Sequence, residues 1–386
     1  MAVIRSLGLA LLLMGPFALA QTRQPDKQPA TSQQRPLPEI DLRKHGFKPL
    51  ASGRRDSLSL DFVDDSHIVF AWTTLDNPAA DKKTKAKRNA VPSHLHAIFL
   101  DAHTGQKQDQ RQWPSSSLSA WLQSIGEGQL LTCTGNAVRL LSREFKTLRE
   151  QSITGANPCI RLQVSPSKRS FSVADAPGMN VSHTLMDTET FAPQAKWDAD
   201  VKNVAFTDTL LIGNGKSDDT LLIRKLNQPW EPFHFTTMEQ HTQASRPERA
   251  SFVSDSTLLI ETVKELFVVS VNGSVLFRID LPDKLFVGAR VTSIGGETFA
   301  LREMRLRGLR NENLDMYPFA SDDTLVVYSV ATRMAIYSIK LKGLSPWPTW
   351  APHDYTNQLA LSPTGRLIAV VNDGILKIYQ IPETKS

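Results

Sequence analysis

Three groups of residues in this 386-residue chain have the types and spacing to do chemistry. The first is histidine. His94 and His96 stand two apart in an apolar, strand-like run. That spacing puts both rings on one side of a strand, where they can share a metal. His103 follows on the same predicted hairpin. Polar rim histidines are the plainer reading, and no metal site is assigned. The second group is paired carboxylates: Asp64-Asp65, Asp218-Asp219 and Asp322-Asp323, each beside a predicted strand end. Such pairs can hold calcium, but turn aspartates more often accept backbone N–H bonds. The third group is cationic and aromatic. Lys82, Lys83, Lys85, Lys87 and Arg88 crowd one polar stretch; Arg302, Arg305, Arg307 and Arg310 lie in a second; Trp347, Trp350 and His353 lie in a third. Arginine offers planar donors to carboxylate or phosphate, and tryptophan offers rigid contact area, so the combination suits partner binding.

The usual catalytic motifs are missing. The chain has no GxxxxGK[ST], no GxGxxG after a strand, no HExxH and no GxSxG. No catalytic residue and no cofactor are assigned. Two sequons, at Asn180 and Asn272, are present, the second within a predicted hairpin turn.

The elements that must position these residues are strands. Short β-branched and aromatic runs recur, each bounded by Gly, Asp, Asn, Ser or Pro. They also repeat. Phe62 to Phe70 (FVDDSHIVF) echoes Phe252 to Ile260 (FVSDSTLLI), with a shorter version at Phe206 to Ile212. Leu162 to Arg169 (LQVSPSKR) matches Leu359 to Arg366 (LALSPTGR), in which proline presets the turn. Each reads as strand, tight turn, apolar strand. A hairpin follows, closed at Asn272-Gly273 in the clearest case. The unit is therefore four antiparallel strands in roughly 40–45 residues, the period of a β-propeller blade.

First strands are expected near Ser57, Leu118, Ile160, Lys202, Ala250, Ala289 and Asn357, which makes seven blades. The last has only three strands before the chain ends, and Ile40 to Leu50 is extended and unpaired. The fold class is thus all-β, a seven-bladed β-propeller with its ring closed by an N-terminal strand. Blade six contains a second candidate start, because Phe319 to Leu325 (FASDDTL) also resembles one and would make an eighth unit. Phrases such as Leu361 to Val370 (LSPTGRLIAV) and Leu100 to Gly105 (LDAHTG) resemble the repeat wording of seven-bladed propellers of the WD40 and YVTN type, over nearly all the chain after about residue 40. The resemblance is to a divergent, exported bacterial member. Trp-Asp occurs once, at Trp197-Asp198, away from the expected blade position, and no Gly-His element is present. The tryptophan docking motifs and adjacent cysteines of quinone-dependent propellers are missing, as are the Asp boxes of neuraminidase-like ones.

Residues 1–20 read as an export signal rather than fold: Arg5, an apolar run from Leu7 to Leu13, and Ala18-Leu19-Ala20 before the cleavage point. Residues 21–39, rich in Gln and Pro, read as a disordered tether. Residues 40–386 form the single propeller domain. Export to the periplasm or beyond makes a Cys133–Cys159 disulfide a candidate in the mature protein. Two unpaired buried thiols are the other reading.

The long connections lie at Asp76 to Pro92 in blade one, at about Met304 to Asp323 in blade six, and at Gly343 to Tyr355 between blades six and seven. All three leave one face of neighbouring blades once the ring closes, and they carry the cationic and aromatic residues. A solvated lysine flap and core-capping tryptophans are the plainer reading of the same residues. The leading expectation is an exported, non-enzymatic scaffold that binds a protein or an anionic ligand or glycan through this sector. The alternative is a lyase, lactonase or glycosidase with an axial active site. A net charge of +5 and the export signal argue against nucleic acid as a partner.

Overall fold

The structure is a computed structural model. It describes residues 36–48, 58–75, 93–115, 121–153, 161–175, 181–197, 200–215, 220–235, 247–262, 264–281, 285–307, 319–341 and 358–383. These residues form seven four-stranded antiparallel sheets arranged as a ring of blades. Blade one is β2 (Leu58–Asp64), β3 (His67–Leu75), β4 (Ser93–Asp101) and β5 (Lys107–Ser115). Blade two is β6 (Leu122–Gly126), β7 (Gln129–Thr134), β8 (Ala137–Leu141) and β9 (Thr147–Ser152). Blade three is β10 (Arg161–Val164), β11 (Ser170–Asp175), β12 (Ser182–Asp187) and β13 (Pro193–Trp197). Blade four is β14 (Lys202–Phe206), β15 (Leu210–Asn214), β16 (Leu221–Lys225) and β17 (Glu231–Pro232). Blade five is β18 (Arg249–Ser254), β19 (Thr257–Glu261), β20 (Glu265–Ser270) and β21 (Val275–Asp280). Blade six is β22 (Leu285–Thr292), β23 (Thr298–Arg307), β24 (Phe319–Ser329) and β25 (Met334–Leu341).

Blade seven is β26 (Leu359–Leu361), β27 (Leu367–Asn372) and β28 (Ile375–Gln380), completed on its outer edge by β1 (Glu39–Asp41). Ile40 pairs with Leu376, and the Leu37 N–H reaches the Ile378 carbonyl at 2.7 Å. The closing strand therefore starts within the stretch read as tether. It occupies the edge that β28 otherwise leaves open, which is the physical reason for closing a ring this way. Phe319 opens the third strand of blade six, not a new blade, so the count is seven.

Apolar residues alternate along the strands and fill the spaces between blades. Ile40, Leu42, Phe47, Phe70, Trp72, Ile98 and Ile378 share the cluster between blades seven and one. The 3₁₀ turn Leu42–His45 seals that seam, capped by the Asp41 side chain and ended by Gly46.

Turns on one face also bond blade to blade. The Thr364 hydroxyl donates to Asp65 at 2.8 Å, and the Ile294 N–H donates to the Pro363 carbonyl at 3.1 Å. Asp208 accepts from the hydroxyls of Ser165 (3.0 Å) and Ser167 (2.7 Å), and Arg169 bridges Asp208 and Asp255. These are the turns between first and second strands, so the repeated Ser-Pro and Asp-Ser phrases link blades as well as reverse the chain. Asp64 likewise works as a turn residue, accepting from the Ser66 N–H at 2.7 Å. The pair Asp218-Asp219 and the side chains of Asp322-Asp323 lie outside the described residues.

Candidate functional site

The sequence-predicted loop sector is defined by strand ends. Connections 76–92 and 308–318 join second to third strands of blades one and six, and connection 342–357 joins blade six to blade seven. In an up-and-down sheet all three leave the same face. β22 packs on β26 and β26 on β2, so blades six, seven and one are consecutive. The blade-six connection is shorter than the sequence suggests, because residues 304–307 and 319–323 are strand. Connection 233–248, between blades four and five, leaves the same face on the far side of the ring.

Lys82, Lys83, Lys85, Lys87, Arg88, Arg310, Trp347, Trp350 and His353 lie outside the described residues. Arg305 and Arg307 sit on the backbone of β23, in register with Asp322 and Phe319 of β24. Arg302 stands opposite Leu325 in the middle of β23 and is 1% exposed. It belongs to the interior of blade six, not to a loop. The next residue, Glu303, is buried on the other side of the strand and accepts a hydrogen bond from the Tyr328 hydroxyl at 2.9 Å. Burial raises the pKa of both partners above the ordinary values, opposed at Glu303 by the tyrosine bond.

His94 and His96 do share a side of β4, with ring centroids 6.3 Å apart. His96 stacks on Trp72 and lies 2.8 Å from the Thr74 hydroxyl, which fixes it within blade one. His103 is exposed in the turn after β4. No group of three or more metal-ligating side chains occurs among the described residues. Cys133 is fully buried on β7; Cys159 lies outside the described residues.

The more developed site is on the ring axis. Two adjoining cavities, of about 240 and 210 Å³, lie among the innermost strands. Both are lined by Gln163, Lys168, Arg290 and Thr292; Ser251 lines one, and Asp61 and Gln123 the other. Apart from Lys168, these polar residues occupy alternate positions of inner strands, with apolar neighbours such as Leu122 and Leu162 on the opposite side. The alternation is period-two patterning with the polar face toward the axis. It is visible in the sequence, strand by strand, but only a seven-blade alignment brings it out.

Asp61 is the one carboxylate of the lining. Its Oδ2 accepts the Ser124 N–H at 2.9 Å and lies 3.8 Å from the Lys168 ammonium. Burial nevertheless raises its pKa, against the opposing pull of Lys168 and the amide. Arg290 is ion-paired with Glu261 and reaches the Ser251 hydroxyl at 3.3 Å. Gln123 Oε1 and Gln163 Oε1 are buried without a hydrogen-bond partner among the described residues. Such an arrangement offers donors and acceptors to a small polar molecule.

No family model matches the chain, and no curated protein matches it. Solved structures do. A chain of the mitotic checkpoint complex is similar at 14% identity and TM-score 0.50, covering 93% of this chain and 98% of that one. BamB from Moraxella catarrhalis is similar at 14% identity and TM-score 0.40, covering 87% and 86%. Hsv2 from Kluyveromyces marxianus is similar at 9% identity and TM-score 0.49, covering 84% and 91%. At these identities the likeness is one of fold alone: the chain is a divergent seven-bladed β-propeller.

Proposed function

We propose that this chain is an exported, non-enzymatic propeller whose loop sector at blades six, seven and one holds an acidic protein partner. The observation that carries the reading is the shared face of the strand ends flanking connections 76–92, 308–318 and 342–357, on three consecutive blades. Those connections contain Lys82, Lys83, Lys85, Lys87, Arg88, Arg310, Trp347, Trp350 and His353. Cationic and aromatic side chains on a rigid ring suit a carboxylate-rich protein surface. The axial lining supports a binder over a hydrolase: general acid–base cleavage uses paired groups, and Asp61 is already matched by Lys168. The leader supports export.

Pull-down from the native envelope or secretome tests this, comparing the wild type with a variant in which Lys82, Lys83, Lys85, Lys87 and Arg88 are reversed to Glu. The expected result is capture of an acidic protein by the wild type, with binding lost in the variant and weakened by salt. Equal capture by both proteins, or binding to glycans alone, sinks the reading. Fractionation with N-terminal sequencing tests export; the mature chain should begin at Gln21.

A further inference from the structure

The two adjoining axial cavities lie apart from the loop sector. Ser165, Pro166 and Lys168, in the first turn of blade three, line the first, so it sits toward the opposite face.

Charges of both signs open into this space. Lys168, Arg290 and Asp61 are lining residues, and the Lys168 and Asp61 side chains keep 23% and 21% of their surface accessible. The Lys168 ammonium stands 3.8 Å from Asp61 Oδ2. A closed ammonium–carboxylate hydrogen bond measures about 2.7–2.9 Å. The ammonium has no hydrogen bond among the described residues, so its three hydrogens are left to whatever fills the cavity. Backbone groups hold both sides of the gap. Asp61 Oδ2 accepts the Ser124 N–H at 2.9 Å, and the Lys168 N–H donates to the Ser165 carbonyl at 3.0 Å. A ligand therefore meets two preorganised charges.

The balance of those charges narrows the ligand. Arg290 is paired with Glu261, so Asp61, Lys168, Arg290 and Glu261 together carry no net charge. A lone anion meets Asp61, and a lone cation meets Lys168 and Arg290; each brings one unmatched charge out of water. A molecule with one charge of each sign brings none. It also makes charge-assisted hydrogen bonds, which are roughly twice as strong as neutral ones, and so is favoured over water or an uncharged ligand. Beside these groups the first cavity has apolar wall from Ala205, Phe252, Leu259 and Phe299.

We infer that the axial cavities bind an α-amino acid with an apolar side chain, as its zwitterion. Its carboxylate accepts from Lys168, its ammonium donates to Asp61, and its side chain lies in the first cavity against Phe252 and Leu259. A single carbon joins the two charged groups of an α-amino acid, which suits opposite charges facing each other across one short gap.

Calorimetry and ligand-observed NMR on the purified chain test this with L-leucine, L-methionine and L-phenylalanine at millimolar concentration. The controls are 4-methylpentanoate, 3-methylbutylamine and 4-methylpentan-1-ol, which keep a leucine-like side chain with one charge or none. At least one amino acid should bind at one per chain, and every control should bind about tenfold more weakly or worse, the loss of one charge-assisted hydrogen bond. Lys168→Met and Asp61→Asn should each weaken the amino acid about tenfold. Asp61→Asn should not weaken 4-methylpentanoate, because it removes a like charge. Three results overturn the inference: no amino acid binding, a control that binds as tightly as the amino acids, or wild-type affinity in folded Lys168→Met and Asp61→Asn. If a variant does not fold, the comparison of amino acids with controls on the wild type decides alone.

Discussion

The ammonium of Lys168 on blade three lies 3.8 Å from Asp61 Oδ2 on blade one, and that same oxygen accepts the Ser124 N–H of blade two. One carboxylate thus ties three blades at the axis. The lysine reaches it from a left-handed turn position that its repeat partner fills with glycine.

Two substitutions separate backbone strain from the ion pair. Lys168→Ala keeps the left-handed residue and loses the pair; Lys168→Gly loses the pair and the strain. Urea unfolding should find the Gly variant about 1 kcal/mol more stable than the Ala variant.

Asp61 has a folded-state pKa raised above the ordinary 3.8. Its folded form holds the proton to higher pH than the unfolded chain does. The stability this gives is fully present below 3.8 and is lost as pH rises through the raised value. Asp61→Asn should flatten that part of the stability–pH curve, and an unchanged curve would refute the assignment.

In blade six, Tyr328→Phe removes the hydroxyl that donates to buried Glu303 and should cost roughly 1–3 kcal/mol. Glu303→Gln keeps an acceptor for the tyrosine and removes the titrating group. It should lie closer to wild type than Tyr328→Phe, and it should abolish the loss of stability as pH rises through the raised Glu303 value. Chemical denaturation across pH measures both.

Ring closure rests on a three-residue strand. Ile40 is 6% exposed in the seam between blades seven and one. Ile40→Ala should cost about 2–4 kcal/mol. Gly105→Ala should also destabilise, since φ is +72° and a Cβ would stand 2.7 Å from Ile40 Cγ1. Thermal unfolding of both variants checks this.

Mass spectrometry after denaturing alkylation without reductant should find neither Cys133 nor Cys159 modified in protein recovered from an oxidising compartment. Reduction should then lower stability by about 3 kcal/mol, the chain-entropy value for a loop of this size. Two alkylated thiols would show that the bridge does not form.

Much of the fold was legible because its signals are local. The Ser-Pro and Asp-Ser phrases, Asn272-Gly273 and the two-residue alternation each act within a few residues, so a linear reading finds blades starting near where β2, β6, β10, β14, β18, β22 and β26 begin. Blade six misled at its edges for a related reason. Residues 304–307 and 319–323, with their mixed charges, read as loop, yet they extend the β23–β24 ladder.

The site was less legible. The polar stripe of Asp61, Gln123, Gln163, Ser251, Arg290 and Thr292 is written one or two residues per blade, so each looks like ordinary strand alternation. Arg302 looked like surface chemistry by composition, but its strand position puts it inside. By itself the sequence determined the repeat, the blade number and the closing strand, because turn chemistry and side-chain period are local properties. Only the tertiary structure decided which polar faces meet on the axis and that Lys168 reaches Asp61 past an intervening blade. Those relations come from closing the ring, which brings together residues that no local pattern connects.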